Sequence, residues 1–374
     1  MEDDIPTIGD GGTGVEDEDT TGEELIIKPF DASLIRVSTR FLTVGQLIDR
    51  MVDKAINLSP DFQREFVWKD SAQSRLIESM FIRFPLPAFY MDATDDERWL
   101  VVDGLQRLSS VKRFAIDKTL RLTDLEFLGE QYNNKSYDEL PAGLKRRINE
   151  TQVTLYLIEK GTPPDVKFNI FKRINTGGLP LSPQEIRHAL HQGPITILLK
   201  NLADSQEFKR ATNNGVQDRR MGDREMVMRF LAFSLTPYTS YTKPDLDAFL
   251  NEKMAEMNNM SAAELESWAQ RFLRVMKAAY NIFGKGAFRK YNVKTNHWLF
   301  INKALFEAWS VNLGKLNDEQ LSTLVKHKEK VVTKLLELLN DREFDSAISQ
   351  GTGDIRKVEK RFKAVEQLIA EVLK

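Results

Sequence analysis

The chain has no cysteine among its 374 residues, so disulfide bonds and thiolate metal sites are excluded. It also has no apolar run near the ~18 residues that a membrane-spanning helix requires. The first residues are acidic rather than basic and apolar, which does not fit a secretory signal. Together these absences predict a cytoplasmic protein with no membrane contact.

Histidine is scarce, and the motifs in which it usually does chemistry are missing. The four histidines are His188, His191, His297 and His327, and none lies in a His-Glu-x-x-His or His-Asn-His context. His188 and His191 are three residues apart on one predicted helical face, so they are either half of a metal site or two solvated or core side chains. A Gly-x-x-x-x-Gly-Lys-Ser/Thr loop is also absent, which excludes P-loop chemistry.

The net charge of −2 is small, but the charge is unevenly distributed. Residues 1–24 contain ten acidic side chains and no lysine or arginine, which leaves 53 basic against 45 acidic residues in the remainder. With few apolar residues to bury, residues 1–24 are predicted to be a disordered acidic tail. Its Gly9–Gly14 stretch satisfies Gly-x-Gly-x-x-Gly, but the stretch lacks a preceding strand and a following helix and is interpreted as linker. The positive remainder suits a polyanion such as nucleic acid.

Periodicity and capping residues predict an α+β protein of two domains. In the first half, Thr43 caps a helix through residue 56, Asp70 or Ser71 begins another, and strands 88–92, 99–103 and 153–158 alternate with helix 166–174. Beyond about residue 194 no strand is predicted, and the helices include residues 261–283, 296–311, 319–339 and 354–373. We therefore expect a mixed α/β domain over residues 25–192 and an all-α domain over residues 193–374.

The junction between strand 99–103 and the following helix is the first candidate site. It reads Asp103-Gly104-Leu105-Gln106-Arg107. A helix start leaves backbone N–H groups unpaired and attracts anions, Gly104 lets a phosphate approach the backbone, and Arg107 supplies a planar donor fork. The alternative is an ordinary strand-helix corner with a glycine and a surface arginine.

Two further motifs flank this turn. The upstream one, residues 61–69, contains Gln63 and Arg64, which either reach a neighbouring pocket or are surface residues beside buried aromatic anchors. The downstream one, residues 168–182, contains Lys172, Arg173 and Asn175. Asn175 either holds a metal, a ribose or a phosphate, or caps the preceding helix. After it, Ser182 and Glu185 are predicted to form a capping box.

The three motifs, in this order and spacing, resemble the N-terminal domain of the GmrSD-type restriction endonucleases over about residues 35–190. The central motif of that family is usually Asp-Gly-Gln-Gln-Arg, and Leu105 replaces its first glutamine here. The resemblance implies a ParB/sulfiredoxin-like fold, in which a Gly-x-x-Arg turn binds nucleotide phosphates; Gly104 and Arg107 match that turn. Sulfiredoxin activity is excluded because it needs a cysteine beside this glycine.

The resemblance implies a ParB-like protein that binds and hydrolyses a nucleoside triphosphate in DNA restriction or phage defence. Asp103 would position water or a divalent metal, expected to be magnesium, and Gln106 would orient the nucleophile. Arg107 and Arg64 would neutralise phosphates. The remaining expected phosphate or nucleotide ligands are Gln63, Gly104, Lys172, Arg173 and Asn175.

Two other functions fit the same residues. The first is a non-catalytic sensor of a nucleotide or modified DNA that signals to a separate effector nuclease. The second is a metal-dependent DNA nuclease. Many GmrSD-type enzymes carry a His-Asn-His nuclease domain, which is not seen in this sequence, so DNA cleavage by that route would need another chain. The expected partners are therefore a nucleoside triphosphate, DNA, or both.

Overall fold

The computed structural model describes residues 14–16, 34–58, 68–174, 181–242, 244–292 and 294–374. Internal contacts divide the chain into two units. The sheet unit comprises Pro29–Leu181, and the helical unit comprises Met1–Lys28 together with Ser182–Lys374. The sequence predicts a boundary after residue 192, whereas contacts group residues 182–192 with the helical unit.

The sheet unit is a mixed five-stranded sheet with helices. Its elements are β1 (Val37–Thr43), α1 (Val44–Val52), β2 (Ile56–Asn57), α2 (Asp70–Phe81), β3 (Phe89–Ala93), β4 (Trp99–Asp103), α3 (Leu105–Val111), α4 (Gly129–Tyr132), α5 (Ala142–Glu150), β5 (Gln152–Glu159) and α6 (Pro164–Ile174). The strand order is β1-β5-β3-β4-β2. β3 pairs antiparallel to β4 and parallel to β5. A π-helical turn, Lys112–Ile116, continues α3.

Strand alternation gives the sheet one apolar face and one face with polar groups. On β3, Phe89 and Met91 are buried in the hydrophobic core of the unit, while the intervening Tyr90 and Asp92 are half-buried. On β5, Leu155 belongs to the same core and its neighbour Tyr156 is half-buried. Because successive side chains of a strand point to opposite faces, the polar groups of β3 and β5 share the second face.

The helical unit is built around long buried helices. Its elements are α7 (Pro183–Leu190), α8 (Pro194–Asp204), α9 (Gln206–Ala211), α10 (Gly222–Leu235), α11 (Leu246–Asn258), α12 (Ala262–Phe283), β6 (Arg289–Asn292), β7 (His297–Ile301), α13 (Lys303–Gly314), α14 (Asp318–Lys326), α15 (Lys328–Leu339), α16 (Arg342–Ser349) and α17 (Ile355–Leu373). Ser261 and Asp354 cap α12 and α17, as their side chains predict. None of the described helices is long and apolar enough to cross a membrane.

The α+β class is confirmed, but the second half is not all-α. The helix predicted over residues 296–311 is wrong at its start, because β6 and β7 pair there as an antiparallel ribbon and α13 begins only after Asn302. A short apolar run such as Trp298–Ile301 fits either a strand or a helix face by periodicity alone. The helix predicted over residues 319–339 also divides, at His327.

The acidic tail is described at three residues, Gly14–Glu16, and these three residues are bound to the helical unit. Val15 forms a parallel bridge with Ile301 of β7 and packs against the core of the helical unit. Val15 is the apolar side chain that packs there, and residues 9–14 and 16–24 on either side of it contain no apolar side chain. The rest of residues 1–24 lies outside the described part of the chain.

Candidate functional site

The turn after β4 has a backbone that requires glycine. Gly104 has φ of 97°, in the left-handed region, and α3 begins at the next residue. A Cβ at this position would overlap the ring of Phe89 on the neighbouring strand β3. The glycine is thus required by the packing of the turn itself, before any ligand is considered.

Arg107 is bound within the protein at the base of this turn. Its guanidinium donates to the carbonyl oxygen of Pro87, to that of Ala88 at 3.2 Å, and to Asp103 Oδ2 at 2.8 Å. The guanidinium carbon lies 4.4 Å from the centroid of the Phe89 ring. Burial lowers the pKa of Arg107, and the neighbouring Asp103 carboxylate opposes that shift. The side chain therefore ties the entry of β3 to the end of β4.

These contacts determine how many N–H donors of Arg107 remain for a ligand. Its side chain is 11% exposed, and three of its five N–H donors are used by described residues. A phosphate would have to use the remaining donors or compete with Asp103. Arg107 is thus a positioning residue in this structure, and its phosphate contact stays a prediction.

Asp103 is held on one side and open on the other. Arg107 binds Oδ2, whereas Oδ1 accepts no hydrogen bond from the described residues. The side chain is 37% exposed, so water, a hydroxyl group or a cation can approach it. A carboxylate fixed by one oxygen is well suited to orient a ligand with the other.

Gln106 links the turn to the upstream motif. Its Oε1 accepts a long hydrogen bond from the backbone amide of Trp68, at 3.4 Å. Trp68 is the first described residue after Gln63 and Arg64, both of which lie outside the described residues. Gln73 Nε2 donates to the carbonyl oxygen of Trp68 at 2.8 Å and so fixes the end of that motif from α2. The structure therefore brings the end of the upstream motif to α3.

The second face of the sheet adds a tyrosine pair that the sequence analysis missed. Tyr90 pairs in register with Asp103 on β4 and with Tyr156 on β5. The two tyrosine rings are stacked, with centroids 4.9 Å apart and an interplanar angle of 23°. Burial, Tyr156 and then Asp103 raise the pKa of Tyr90, so its hydroxyl stays protonated at neutral pH. Strand alternation was the available signal, but it does not reveal which strands are neighbours.

A buried ion pair lies further along the same face. Lys167 Nζ of α6 contacts Asp92 Oδ2 at 3.0 Å and also Thr94 Oγ1. Lys172 and Arg173, the cations predicted to bind phosphate, lie exposed in the last turn of α6. Lys167 therefore connects α6 to the sheet. Asn175 lies outside the described residues.

Comparison with protein families decides the relationship of this region. The model of the GmrSD restriction endonuclease N-terminal domain matches residues 44–192. Residues 44–192 belong to the GmrSD N-terminal domain family. No curated protein and no solved structure matches the chain. The family is that of a restriction endonuclease domain, which suggests a setting in DNA restriction or phage defence.

The GmrSD domain contains all three sequence motifs and extends through α7. There the predicted capping box is confirmed: Glu185 Oε2 accepts from the Ser182 amide at 2.6 Å, and Ser182 Oγ accepts from the Glu185 amide at 3.1 Å. His188 and His191 are both buried. Among the described residues, no group of three His, Cys, Asp or Glu side chains is arranged to hold a metal ion. The burial of both side chains is what the core alternative for this histidine pair predicts.

Proposed function

We propose that the Asp103–Arg107 turn of the GmrSD domain binds and hydrolyses a nucleoside triphosphate in the course of DNA restriction. The observation that carries this proposal is the state of Asp103: one carboxylate oxygen is fixed by a buried arginine, the other accepts no hydrogen bond from the described residues, and the side chain is 37% exposed beside a glycine turn. A carboxylate held in this way loses little conformational freedom when it engages a ligand.

Asp103 is the residue that would hold water or a divalent cation. Magnesium is usually bound by one or two carboxylates together with substrate phosphates and water, so a single open carboxylate fits it. When bound, the cation would neutralise charge on the phosphates. The remaining ligands would come from the nucleotide and from solvent, since the described residues supply no three-ligand group.

The other residues divide into positioning and binding roles. Arg107 keeps Asp103 in place through the contact at 2.8 Å. Gln106 Nε2 has no hydrogen bond to the described residues and would orient the attacking water or a phosphate oxygen. Tyr90, the strand partner of Asp103, would supply a neutral hydroxyl group on the same face of the sheet.

The phosphate-binding set predicted from the sequence is part of the proposal. Gly104 would let a phosphate approach the backbone of the turn, and cations of the flanking motifs would add positive charge; of these, Lys172 and Arg173 are exposed. These additional ligands are Gln63, Arg64, Lys172, Arg173 and Asn175.

A sensor without catalysis is the second candidate, and the contacts of Arg107 favour it. Phosphoryl-transfer enzymes usually direct an arginine or lysine at the transferred group. Here the buried arginine of the turn is directed at two backbone carbonyls and Asp103. As a sensor, the same turn would bind a nucleotide or modified DNA, and the protein would signal this binding to a separate effector nuclease.

Turnover and binding measured on two variants separate the candidates. The full chain is assayed against a panel of nucleoside triphosphates with magnesium, with and without DNA. For the enzyme, Asp103→Asn should retain much of the affinity but lower turnover ~100-fold or more. Asp96→Asn makes the same change in the exposed loop between β3 and β4 and should leave turnover unchanged.

Each outcome is decisive for one candidate. If the parent protein binds nucleotide but never hydrolyses it, the sensor function is supported and the enzymatic function is rejected. An Asp103→Asn variant with full turnover would remove Asp103 from the mechanism. If neither nucleotide nor DNA binds, both candidates fail.

A further inference from the structure

The outer edge of the β6–β7 ribbon is occupied by a piece of the acidic N-terminal segment. The amide of Glu16 donates to the carbonyl oxygen of Ile301 at 2.8 Å, and the amide of Ile301 donates to the carbonyl oxygen of Gly14 at 3.3 Å. Val15 lies between them in a parallel bridge. The segment Gly14–Glu16, called the arm below, thus extends the ribbon by one short strand, in the manner of a bound peptide.

The side chain of Glu16 is recognised at both carboxylate oxygens. Lys290 Nζ of β6 donates to Oε1 at 2.8 Å, and Asn302 Nδ2 donates to Oε2 at 2.8 Å. Both donors are themselves well buried. A carboxylate with both oxygens bound by buried donors is recognised more specifically than one in a surface ion pair.

The two donors are held in position by the end of α16. Lys290 Nζ also donates to Ser349 Oγ at 2.7 Å, and Asn302 Nδ2 also donates to the carbonyl oxygen of Ile348 at 2.7 Å. Lys290 lies 3.7 Å from Asp345 as well. The carboxylate-binding pair is therefore positioned by contacts that do not involve the arm.

Charge favours this occupant. Residues 284–303, which contain the ribbon, include five lysines or arginines and no acidic residue. Residues 1–24 contain ten acidic residues and no lysine or arginine. Complementary charge of this kind raises the rate of association and depends on salt.

We propose that the outer edge of β7, with Lys290 and Asn302 beside it, is a docking site for an extended acidic peptide, and that the arm of the same chain is its occupant. One bridge and one carboxylate form a small contact. The covalent tether compensates, because it keeps the arm at a high effective concentration. Because the contact itself is small, the docked arm exchanges with an undocked form. An acidic peptide added in trans then competes with the arm for the edge of β7.

A peptide titration tests the site directly. A chain lacking residues 1–24, checked for folding by its melting curve, is titrated with a fluorescent peptide of residues 9–20. We expect saturable binding that weakens with salt and falls ~10-fold or more when the peptide carries Glu16→Gln, because a charge-assisted contact is lost. Lys290→Gln in the protein should have a similar effect. The matched control is Lys294→Gln, which removes a positive charge from the exposed turn of the same ribbon and should leave binding unchanged.

Hydrogen exchange on the full chain tests the occupant without a deletion. The amides of Glu16 and Ile301 should be protected in the parent and exchange ~10-fold faster or more in Glu16→Gln, in line with the same lost contact. Light scattering measures the mass of the particle and so distinguishes an arm of the same chain from an arm of a second copy. A monomer with protected amides supports docking within the chain.

Three results would overturn the proposal. The first is absence of saturable peptide binding together with unprotected Glu16 and Ile301 amides in the parent. The second is an equal loss of binding in Lys290→Gln and Lys294→Gln, which would mean attraction without a specific site. The third is a dimer that dissociates in Glu16→Gln, which would assign the site to the arm of a second copy.

Discussion

The sheet unit and the helical unit use buried arginines in different ways. In the sheet unit, Arg107 binds one oxygen of Asp103 and leaves the carboxylate 37% exposed. In the helical unit, Glu307 is fully buried, with Arg229 on one oxygen at 2.7 Å and Arg361 on the other. The first arrangement keeps a group available to a ligand, whereas the second uses all of it inside the core.

This difference separates a candidate site from a structural network. Glu225 on α10 illustrates the second case. Burial alone would raise its pKa, but Lys303, Arg229 and Arg187 hold that pKa well below its usual range. A buried carboxylate surrounded by cations stays charged and is already satisfied. Charge in a protein interior therefore indicates function only where part of the group remains unpaired.

The largest expected effect is in the helical unit. Glu307→Ala leaves Arg229 and Arg361 buried without their shared partner and should lower the free energy of unfolding by ~3–5 kcal/mol. Chemical denaturation measures this value. A loss below ~1 kcal/mol would mean that water or another carboxylate replaces Glu307, and the contrast with Asp103 would weaken.

A second prediction concerns Asp223 of the helical unit, a buried carboxyl group whose pKa is raised, in contrast to that of Glu225. Burial, followed by the nearby Asp218, raises the pKa of Asp223 to about 6 from an ordinary 3.8. Because the folded form binds the proton more tightly, this group stabilises the fold at low pH, and that contribution is lost as pH rises from about 4 to about 6, by about 3 kcal/mol at most. Asp223→Asn should abolish this decline and be more stable than the parent at pH 7. Unfolding curves across that range measure the difference, and parallel profiles for the two proteins would contradict it.

A third prediction tests whether Arg107 positions the turn. Arg107→Lys keeps the charge but loses the planar fork that spans Pro87, Ala88 and Asp103, so the sheet unit should lose ~1–3 kcal/mol of stability and bind nucleotide more weakly. The control is Arg98→Lys, on the exposed loop before β4, which should change neither. If binding falls while stability is unchanged, Arg107 acts on the ligand directly and the positioning role is wrong.

The smallest expected effect concerns the acidic segment. Deleting residues 1–24 removes ten negative charges and should tighten binding of the chain to duplex DNA by up to ~10-fold at about 50 mM salt, with little change at about 200 mM. Fluorescence anisotropy at the two salt concentrations measures this. An effect independent of salt would not be electrostatic.

Sequence predicted well where the local signal and the tertiary structure agree. β4 begins and ends where the apolar run Trp99–Asp103 does, and α2 begins at Asp70. β1 was not predicted, because it is an edge strand whose burial does not alternate cleanly. β2 has only two residues, too few for a periodic signal.

Only the part of the candidate site that has a local sequence signal could be predicted. Asp103 and Gly104 are recognisable because a strand ends and a helix begins there. The partners of Arg107, however, are backbone carbonyls about 20 residues upstream, and only the fold brings them together. Tyr90 and Tyr156 meet because β3 and β5 are neighbours in the sheet, which no local pattern specifies.

The π-helical turn Lys112–Ile116 follows α3 directly, and the number of residues in it determines where the side chains after the candidate site point. Such a turn holds one residue more than an α-helical turn would. Phe114 within it is fully buried and meets Tyr137 edge-on, with ring centroids 5.6 Å apart. Deleting one residue here would restore an ordinary helix but rotate Phe114 by about 100° away from that contact. Among homologous sequences, insertions and deletions should therefore avoid this stretch.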